Sequence, residues 1–342
     1  MRDIKSMTLD ELAEELKAIG HPKYRAEQIY VWLQKKGVES FDEMTNISKQ
    51  LREQLAERFE IGRAIIEKRF DSQLDDTSKY LFKMNDGEFI EAVLMHYHHG
   101  YSICISSQVG CKMGCTFCAT GMGGFFRNLT AGELIAQVQA AERDKQIRIS
   151  NIVLMGMGEP LDNFDEVVRF LDLVSSEKGM NIGMRHISLS TCGIVPKIYE
   201  LAERKYQLTL SVSLHAPNDA IRQETMPVAK RWGMAELLKA CVDYEKATGR
   251  RISFEYAMIS GINDSDECAV ELADKLKGSL CHVNLIPVNE IQENSFKRSS
   301  KDRLERFSAI LEKRNIAVTV RRTLGSDINA SCGQLRRRHL KK

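Results

Sequence analysis

Residues 110–121 read GCKMGCTFCATG, with cysteines at 111, 115 and 118 and glycines at 110, 114 and 121. Glycine at that density makes a turning loop, so the three thiols sit on a bend and not along an apolar helix face. Structural zinc wants four ligands, often as two CxxC pairs, and CxxxCxxC offers three with no fourth Cys or His beside it. A [4Fe–4S] cluster in an electron carrier takes four thiolates, one for each iron. Three thiolates leave one iron open. Such an iron can bind a substrate or cofactor and pass an electron into it.

Around this loop the chain alternates. After YSICISS (101–107) come the strand-like runs NIVLM (151–155), HISLS (186–190), LTLSVSL (208–214), ISFEYAM (252–258), HVNLIPV (282–288) and IAVTV (316–320). Helical stretches separate them, such as 129–145, 164–176, 234–249, 267–278 and 301–315. Strands alternating with helices predict a parallel sheet with right-handed crossovers. Polar and glycine-rich segments gather just past several strands: GMGEP at 156–160, TCG at 191–193, HAPN at 215–218 and Asn289 with Glu290. An open sheet would concentrate them at one switch point. Their spread along many strand ends favours a barrel rim. The expected fold is α/β, a partial (β/α)6-type TIM-like barrel preceded by a small helical accessory domain.

The first sixty residues read as helices, with Thr8 and Glu11 forming a capping box, Gly20 a stop, and Gly37 an end to the run YRAEQIYVWLQKKG. A third helix covers ISKQLREQLAERF (47–59). Asn85, Asp86 and Gly87 supply a hairpin turn between SKYLFKM and EFIEAVLMHY. The expected divisions are a helical RNA-binding domain at 1–62, a strand connector at 63–96, a core at 97–331, and a C-terminal segment at 332–342.

The 342 residues are 43% hydrophobic and 28% charged with six prolines, which excludes a disordered chain. No apolar run approaches the ~20 residues that cross a bilayer. The N-terminus lacks the apolar core of a signal peptide, so a cytoplasmic protein is expected, with no membrane partner. In that compartment nine cysteines are not structural disulfides. Cys241, Cys268 and Cys281 lie in apolar patterns and read as small buried hydrophobes. Net charge is +2, but residues 321–342 carry +6 of it, leaving −4 for the rest. Such a tail is a plausible phosphate contact, through Arg321, Arg322, Arg336, Arg337, Arg338, Lys341 and Lys342. MHYHHG, with His96, His98 and His99, has no acidic or thiol partner in the sequence pattern and is not read as a metal site.

The ordered motifs ICISSQVGCKMGCTFCATG, RNLTAGEL, LMGMGEPLDN, RHISLSTCGIVP, SLHAPND, FEYAMISGINDS, HVNLIPVN and DINASCGQL resemble the RlmN/Cfr family of radical S-adenosylmethionine (SAM) enzymes, methyltransferases acting on RNA adenine. The resemblance runs from about Glu91 to Leu335. It implies a [4Fe–4S] cluster on Cys111, Cys115 and Cys118, with SAM at the fourth iron and two SAM consumed per turnover. It implies that Cys332 accepts a methyl group, that Cys104 releases the product through a transient Cys104–Cys332 disulfide, and that Glu91 accepts a proton. Gly158 and Glu159 match the segment receiving the SAM amino group. Ser190, Ser213, Leu214, His215 and Asn289 match further SAM contacts.

The implied substrate is adenine 2503 of 23S rRNA. Some members also modify adenine 37 of transfer RNA, which leaves tRNA open as a second partner. An electron donor such as flavodoxin or ferredoxin and a monomeric state are also expected. Chemistry gives the reason for radicals: C2 of adenine and the SAM methyl are both electrophilic, so polar displacement cannot join them, and the cofactor must carry the hard step. The target base must be unstacked to reach a buried centre. The N-terminal block is nearly neutral and is expected to read RNA shape through a patch such as Lys35 and Lys36. Val109 and Pro160 stand where a C8-methylating relative has cysteine and alanine, which favours C2. The alternatives are C8 methylation and a non-catalytic RNA-binding iron–sulfur protein.

Overall fold

Apolar strands alternating with one-sided helices bury both kinds of surface only when helices cover the sheet. The computed structural model, which describes residues 1–289 and 294–335, has that arrangement. Ten strands form one sheet: β1 (Ile65–Asp71), β2 (Ser78–Lys83), β3 (Phe89–Tyr97), β4 (Gly100–Cys104), β5 (Ile149–Leu154), β6 (Ile187–Thr191), β7 (Thr209–Ser213), β8 (Ile252–Met258), β9 (Cys281–Pro287) and β10 (Ala317–Val320). Their order in space is their order in the chain. From β4 to β10 every pairing is parallel, giving seven parallel strands. The remaining three, β3 to β1, continue as an antiparallel meander. Gly87 turns the β2–β3 hairpin at a φ of +86°, with Asp86 accepting from the Glu88 N–H at 3.0 Å.

One contact shows how strongly the sheet curls. Met155 follows β5 and Arg321 follows β10, five strand spacings away. A flat sheet would separate them by about 24 Å. Instead Arg321 Nη1 lies 3.5 Å from Met155 Sδ. The sheet is therefore a partial barrel, open between β10 and β1. Residues 321–335 cross that opening. Asp327 accepts from Ser72 Oγ at 2.7 Å and from the Gln73 N–H at 2.8 Å. The Gly325 N–H donates to Asp75 at 3.0 Å, and Lys79 Nζ donates to the Asn329 carbonyl at 3.4 Å.

The N-terminal helices are α1 (Leu9–Ala18), α2 (Lys23–Tyr30) and α3 (Lys49–Arg58). Thr8 and Glu11 form the reciprocal cap, with bonds of 3.2 and 2.8 Å. A π-helical turn over Val31–Lys36 prolongs α2 and stops at Gly37, where φ is +65°. Leu12, Leu16, Ile29, Leu33, Leu51 and Leu55 are buried in a core continuous with that of the sheet. A polar seam joins the two parts: buried Lys5 donates to Gln139 at 3.0 Å, and Gln34 donates to the Lys5 carbonyl at 2.6 Å.

Behind the parallel strands lie α4 (Ala131–Lys145), α5 (Phe164–Ser175), α6 (Val195–Glu203), α7 (Asp219–Thr225), α8 (Met234–Thr248), α9 (Asp266–Leu276) and α10 (Lys301–Glu312). Cys241, Cys268 and Cys281 are buried among them. No helix among the described residues is long and apolar enough to cross a membrane. The histidine expectation needs correction: His96 does have an acidic neighbour, Asp76 at 3.4 Å, and stacks on Tyr101. β3 ends at Tyr97, so His98 stands in the turn and shares no strand face with it. Arg336, Arg337, Arg338, Lys341 and Lys342 of the basic tail lie outside the described residues, as does Glu290.

Candidate active site

The cysteine loop is shaped by its glycines. Gly110 has φ +79°, and a Cβ there would meet the Gly124 carbonyl oxygen at 1.9 Å. That closeness lets the Cys111 N–H donate to the same carbonyl at 2.9 Å. Gly114 is also left-handed, at +68°. Helix α7 holds the middle of the loop, since the Thr225 carbonyl accepts from the Thr116 N–H at 3.0 Å. The closing segment holds its far end: the Ala119 N–H donates to the Gly333 carbonyl at 2.8 Å, and Thr120 Oγ1 to the Leu335 carbonyl at 2.7 Å.

Cys111, Cys115 and Cys118 line one cavity of about 930 Å³ counting its open mouth, within the range of small-molecule sites. Gly158, Glu159, Ser190, Ser213, His215, Asn289 and Cys332 line it too. They come from the carboxyl ends of β5, β6, β7 and β9 and from the closing segment. Leu214 is the exception: its side chain is fully buried in the core, while its carbonyl accepts from Arg222 Nε at 3.2 Å.

Several members are fixed by the backbone around them. Glu159 is buried; its carboxylate accepts from the Cys192 N–H at 2.7 Å and the Leu161 N–H at 3.0 Å, and burial raises its pKa. Gly158, at φ +103°, packs so close to Gln108 that a Cβ would lie 2.6 Å from the Gln108 Cβ. His215 is left-handed at φ +56°, its Nδ1 accepts from the Ala257 N–H at 2.9 Å, and its ring meets Phe117 of the cysteine loop edge-on. Burial, then the nearby Arg222 charge, presses its pKa down to about 3, so the ring is a neutral acceptor.

A second cavity opens behind the first, lined by Val93, Met95, Tyr97, Cys104, Ser331 and Cys332 among others. Cys332, Asn289, Arg321 and Met155 belong to both walls. Cys332 thus stands between the cysteine loop on one side and Cys104 on the other. Cys104 faces it from β4, opposite Val93 in the ladder. All nine cysteines are free thiols, so the Cys104–Cys332 bond is not formed here. Glu91 shares the strand face of Val93, Met95 and Tyr97, one step deeper. It is 2% exposed, with Lys79 Nζ 3.3 Å from its carboxylate.

The donor set fits an iron–sulfur cluster better than a single ion. Among the described residues no three His, Cys, Asp or Glu side chains converge as one ion requires. A cluster instead spreads its thiolates, one to each iron. Burial pushes the Cys111 thiol up to about 12 and raises Cys115 further, which favours the protonated form of these two. Loading iron must displace those protons.

Two arginines, Arg222 buried and Arg321 partly buried, line or brace the site without having been singled out for it in the sequence. Arg222 of α7 is wholly buried and donates to the carbonyls of Cys192 at 2.7 Å and Ser213 at 3.3 Å, tying two strand ends together. Its Nη1 has no hydrogen-bond partner among the described residues. Arg321 was counted with the basic tail, and it lines the cavities instead.

Comparison with known proteins accounts for both halves of the chain. Residues 2–61 match the family model "Ribosomal RNA large subunit methyltransferase N-terminal domain", and residues 105–274 match "Radical SAM superfamily". The chain is 55% identical to the "Probable dual-specificity RNA methyltransferase RlmN" of Alkaliphilus oremlandii, covering 99% of this chain and 98% of that protein. It is 53% identical to the protein of the same name from Clostridium novyi, covering 100% and 99%. A radical SAM methyltransferase of known crystal structure from Sphaerobacter thermophilus superposes with a TM-score of 0.95 at 46% identity, over 98% of this chain and 100% of that one. With both family models matched and more than half of the residues identical to these curated relatives over nearly the whole chain, the chain belongs to the RlmN family of radical SAM RNA methyltransferases.

Proposed function

We propose that this protein methylates C2 of an adenine in 23S rRNA, and of an adenine in tRNA, by way of a methyl group carried on Cys332. The observation that supports the reading most is the position of Cys332 on the wall common to the two cavities. A thiol there can take a methyl group on one side and deliver carbon on the other. Cys111, Cys115 and Cys118 would hold the [4Fe–4S] cluster, and Gly158, Glu159, Ser190, Ser213, His215 and Asn289, with the backbone at Leu214, would hold SAM. When bound, that pair supplies an electron and a 5′-deoxyadenosyl radical able to take hydrogen from an S-methyl group.

The chain's own residues do the rest. Cys332 attacks the SAM methyl carbon, the sulfonium carbon–sulfur bond breaks, and S-adenosylhomocysteine leaves with the electron pair. Cys332 later carries the activated carbon to the adenine. Glu91, buried on the strand face that leads into the second cavity, takes the proton from the adenine carbon, and the one electron the adduct must then shed would return to the iron–sulfur centre. Cys104 then attacks the Cys332 sulfur as a thiolate; the carbon–sulfur bond breaks with its pair on the methylene carbon, which takes up a proton to give methyladenine, and a Cys104–Cys332 disulfide is left for an external thiol to reduce. Helices α1 to α3 would grip RNA, and a small electron carrier would feed the cluster.

C2 is favoured over C8 by Val109, which is fully buried beside the loop, and by Pro160, which lines the first cavity. Nucleoside mass spectrometry of ribosomal and transfer RNA, from cells with and without the protein, tests the reading. Dependence of 2-methyladenosine on the protein is expected. Dependence of 8-methyladenosine alone would overturn the position, and undiminished turnover by Cys332→Ala would overturn the route.

A further inference from the structure

Gln108 stands just before the cysteine loop and is fully buried. It is paired with Asn128 at the base of a two-stranded antiparallel ribbon, Gln108–Gly110 against Phe125–Asn128, from which residues 111–124 loop out. Among the described residues its side-chain amide makes three hydrogen bonds. Oε1 accepts from the Glu159 N–H at 2.9 Å, and Nε2 donates to Asn128 Oδ1 at 2.9 Å and to Asp162 Oδ2 at 2.8 Å. A carboxylate faces Nε2 and a backbone N–H faces Oε1, so the partners fix which way round the amide lies.

Those partners belong to different parts of the site. Glu159 follows Gly158 in the turn matched to the SAM amino group, while Asn128 closes the base of the cysteine loop. Asp162 carries the contacts further, because its other oxygen lies 2.7 Å from Nζ of Lys112, the neighbour of Cys111. The surrounding backbone does not need the amide. The N–H groups of Ser107 and Gln108 donate to the Met157 carbonyl at 2.8 and 3.1 Å, and Asn163 Nδ2 donates to the carbonyls of Ser107 and Leu129 at 2.9 and 2.8 Å. What the side chain adds is the anchor of the Glu159 N–H, two residues beyond Met157. Without it, a buried donor loses its partner and the turn is free to drift from the loop.

We propose that Gln108 is a positioning residue for SAM: its amide sets the distance between the cysteine loop and the Gly158–Glu159 turn. The inference rests on the SAM-binding role given to Glu159 above. A ligand held at once by a centre on Cys111, Cys115 and Cys118 and by Glu159 spans two separate elements, so its affinity depends on their spacing. Fixing that spacing before the ligand arrives removes an ordering cost from the binding step. Gln108 is not among the residues lining the cavity, and it acts through Glu159 and Asp162. Its loss is therefore felt in how tightly SAM binds, and not in whether the loop takes up iron.

The test measures SAM binding by equilibrium dialysis, with cluster-loaded protein prepared without oxygen. The cluster is left oxidised so that SAM is not cleaved, and all chains carry Cys332→Ala so that no methyl is transferred. Gln108→Met keeps the volume and removes the three hydrogen bonds. It is expected to raise the SAM Kd about tenfold with iron and sulfide content unchanged. An unchanged Kd would overturn the proposal, and so would iron falling in step with SAM binding, which would make Gln108 a brace of the loop alone. Gln108→Glu sets a second carboxylate against Asp162 and is expected to weaken SAM at least as much. Adding Asp162→Asn restores a donor between the two and should return the Kd to within about threefold of the parent. This pair carries the comparison if the methionine variant does not fold, and a double variant as weak as the single one would overturn the tie to Asp162. A further arm needs neither cluster nor SAM: hydrogen exchange over residues 156–163, followed by mass spectrometry, should quicken in Gln108→Met while residues 187–191 stay as in the parent. Equal exchange over 156–163 would overturn the hold on the turn. Glu159→Gln separates the two readings. If it leaves SAM binding intact, the SAM role of Glu159 fails, whereas weaker binding with Glu159→Gln and none with Gln108→Met overturns the positioning role alone.

Discussion

Asn289 holds the backbone of the residue proposed to carry the methyl group: its Nδ2 donates to the carbonyl oxygen of Cys332 at 3.0 Å. The two residues come from different parts of the chain, one just past β9 and the other on the closing segment. A side chain matched to a SAM contact therefore also fixes the position of the methyl acceptor. Removing one such hydrogen bond costs about 1 kcal/mol, and an ångström of misplacement costs more in rate than in stability.

Asn289→Ala is accordingly expected to lower the rate of SAM-dependent methylation of Cys332 by about tenfold or more, with the visible iron–sulfur absorption unchanged. Single-turnover mass spectrometry of the Cys332 peptide measures it. An unaltered rate would show that the carbonyl needs no anchor.

Gly110→Ala places a methyl group where the Gly124 carbonyl already stands, at a left-handed φ that itself costs about 1–3 kcal/mol. The loop must open, and the Cys111 bond to Gly124 goes with it. Expected is a folded chain whose iron and sulfide content after anaerobic reconstitution falls by at least about half. The same substitution at Gly249, where a Cβ would meet open space, serves as the control and should leave iron content intact.

His215 makes stability depend on acidity. Its folded pKa is pressed from the ordinary 6.5 to about 3. The stabilisation is therefore complete above the unfolded value and is lost as pH falls towards the folded one. This group alone should withdraw about 2 kcal/mol between pH 7 and 5. His215→Asn keeps an acceptor for the Ala257 N–H and tolerates the left-handed backbone, so urea unfolding of the variant should lose about that much less over the same interval.

The buried pair of Lys79 and Glu91 separates a structural role from a chemical one. Lys79→Met leaves a carboxylate that is 2% exposed without its cation, at an expected cost of about 3 kcal/mol in urea unfolding. Adding Glu91→Leu should recover most of that loss and abolish methylation. Recovery of both stability and activity would remove Glu91 from the chemistry.

Much of this was legible because it is local. The capping box at Thr8, the hairpin at Gly87 and the strand-end loops each follow from residues a few positions apart, and the cysteine spacing names its own chemistry. What the sequence withheld is long-range. Nothing in NIVLM or IAVTV says that Met155 and Arg321 will touch, because the curl of a sheet belongs to no single strand. Arg321 reads as part of a basic tail, and Arg222 carries no motif, for the same reason: what surrounds a cation is contributed by distant segments. His96 and Asp76 are twenty residues apart in sequence, and the loop that brings them together carries no motif.

The segment that spans the gap between β10 and β1 also bears Cys332, the proposed methyl carrier, so the protein's architecture and its proposed reagent share one fastening. Asp75 and Asp327 touch no reacting atom, yet they pin the strap on which the sulfur rides. Natural variation at those carboxylates would be felt as lost methylation long before it was felt as lost fold. Positions that look like ordinary surface on inspection would then tolerate as little drift as the cysteines themselves.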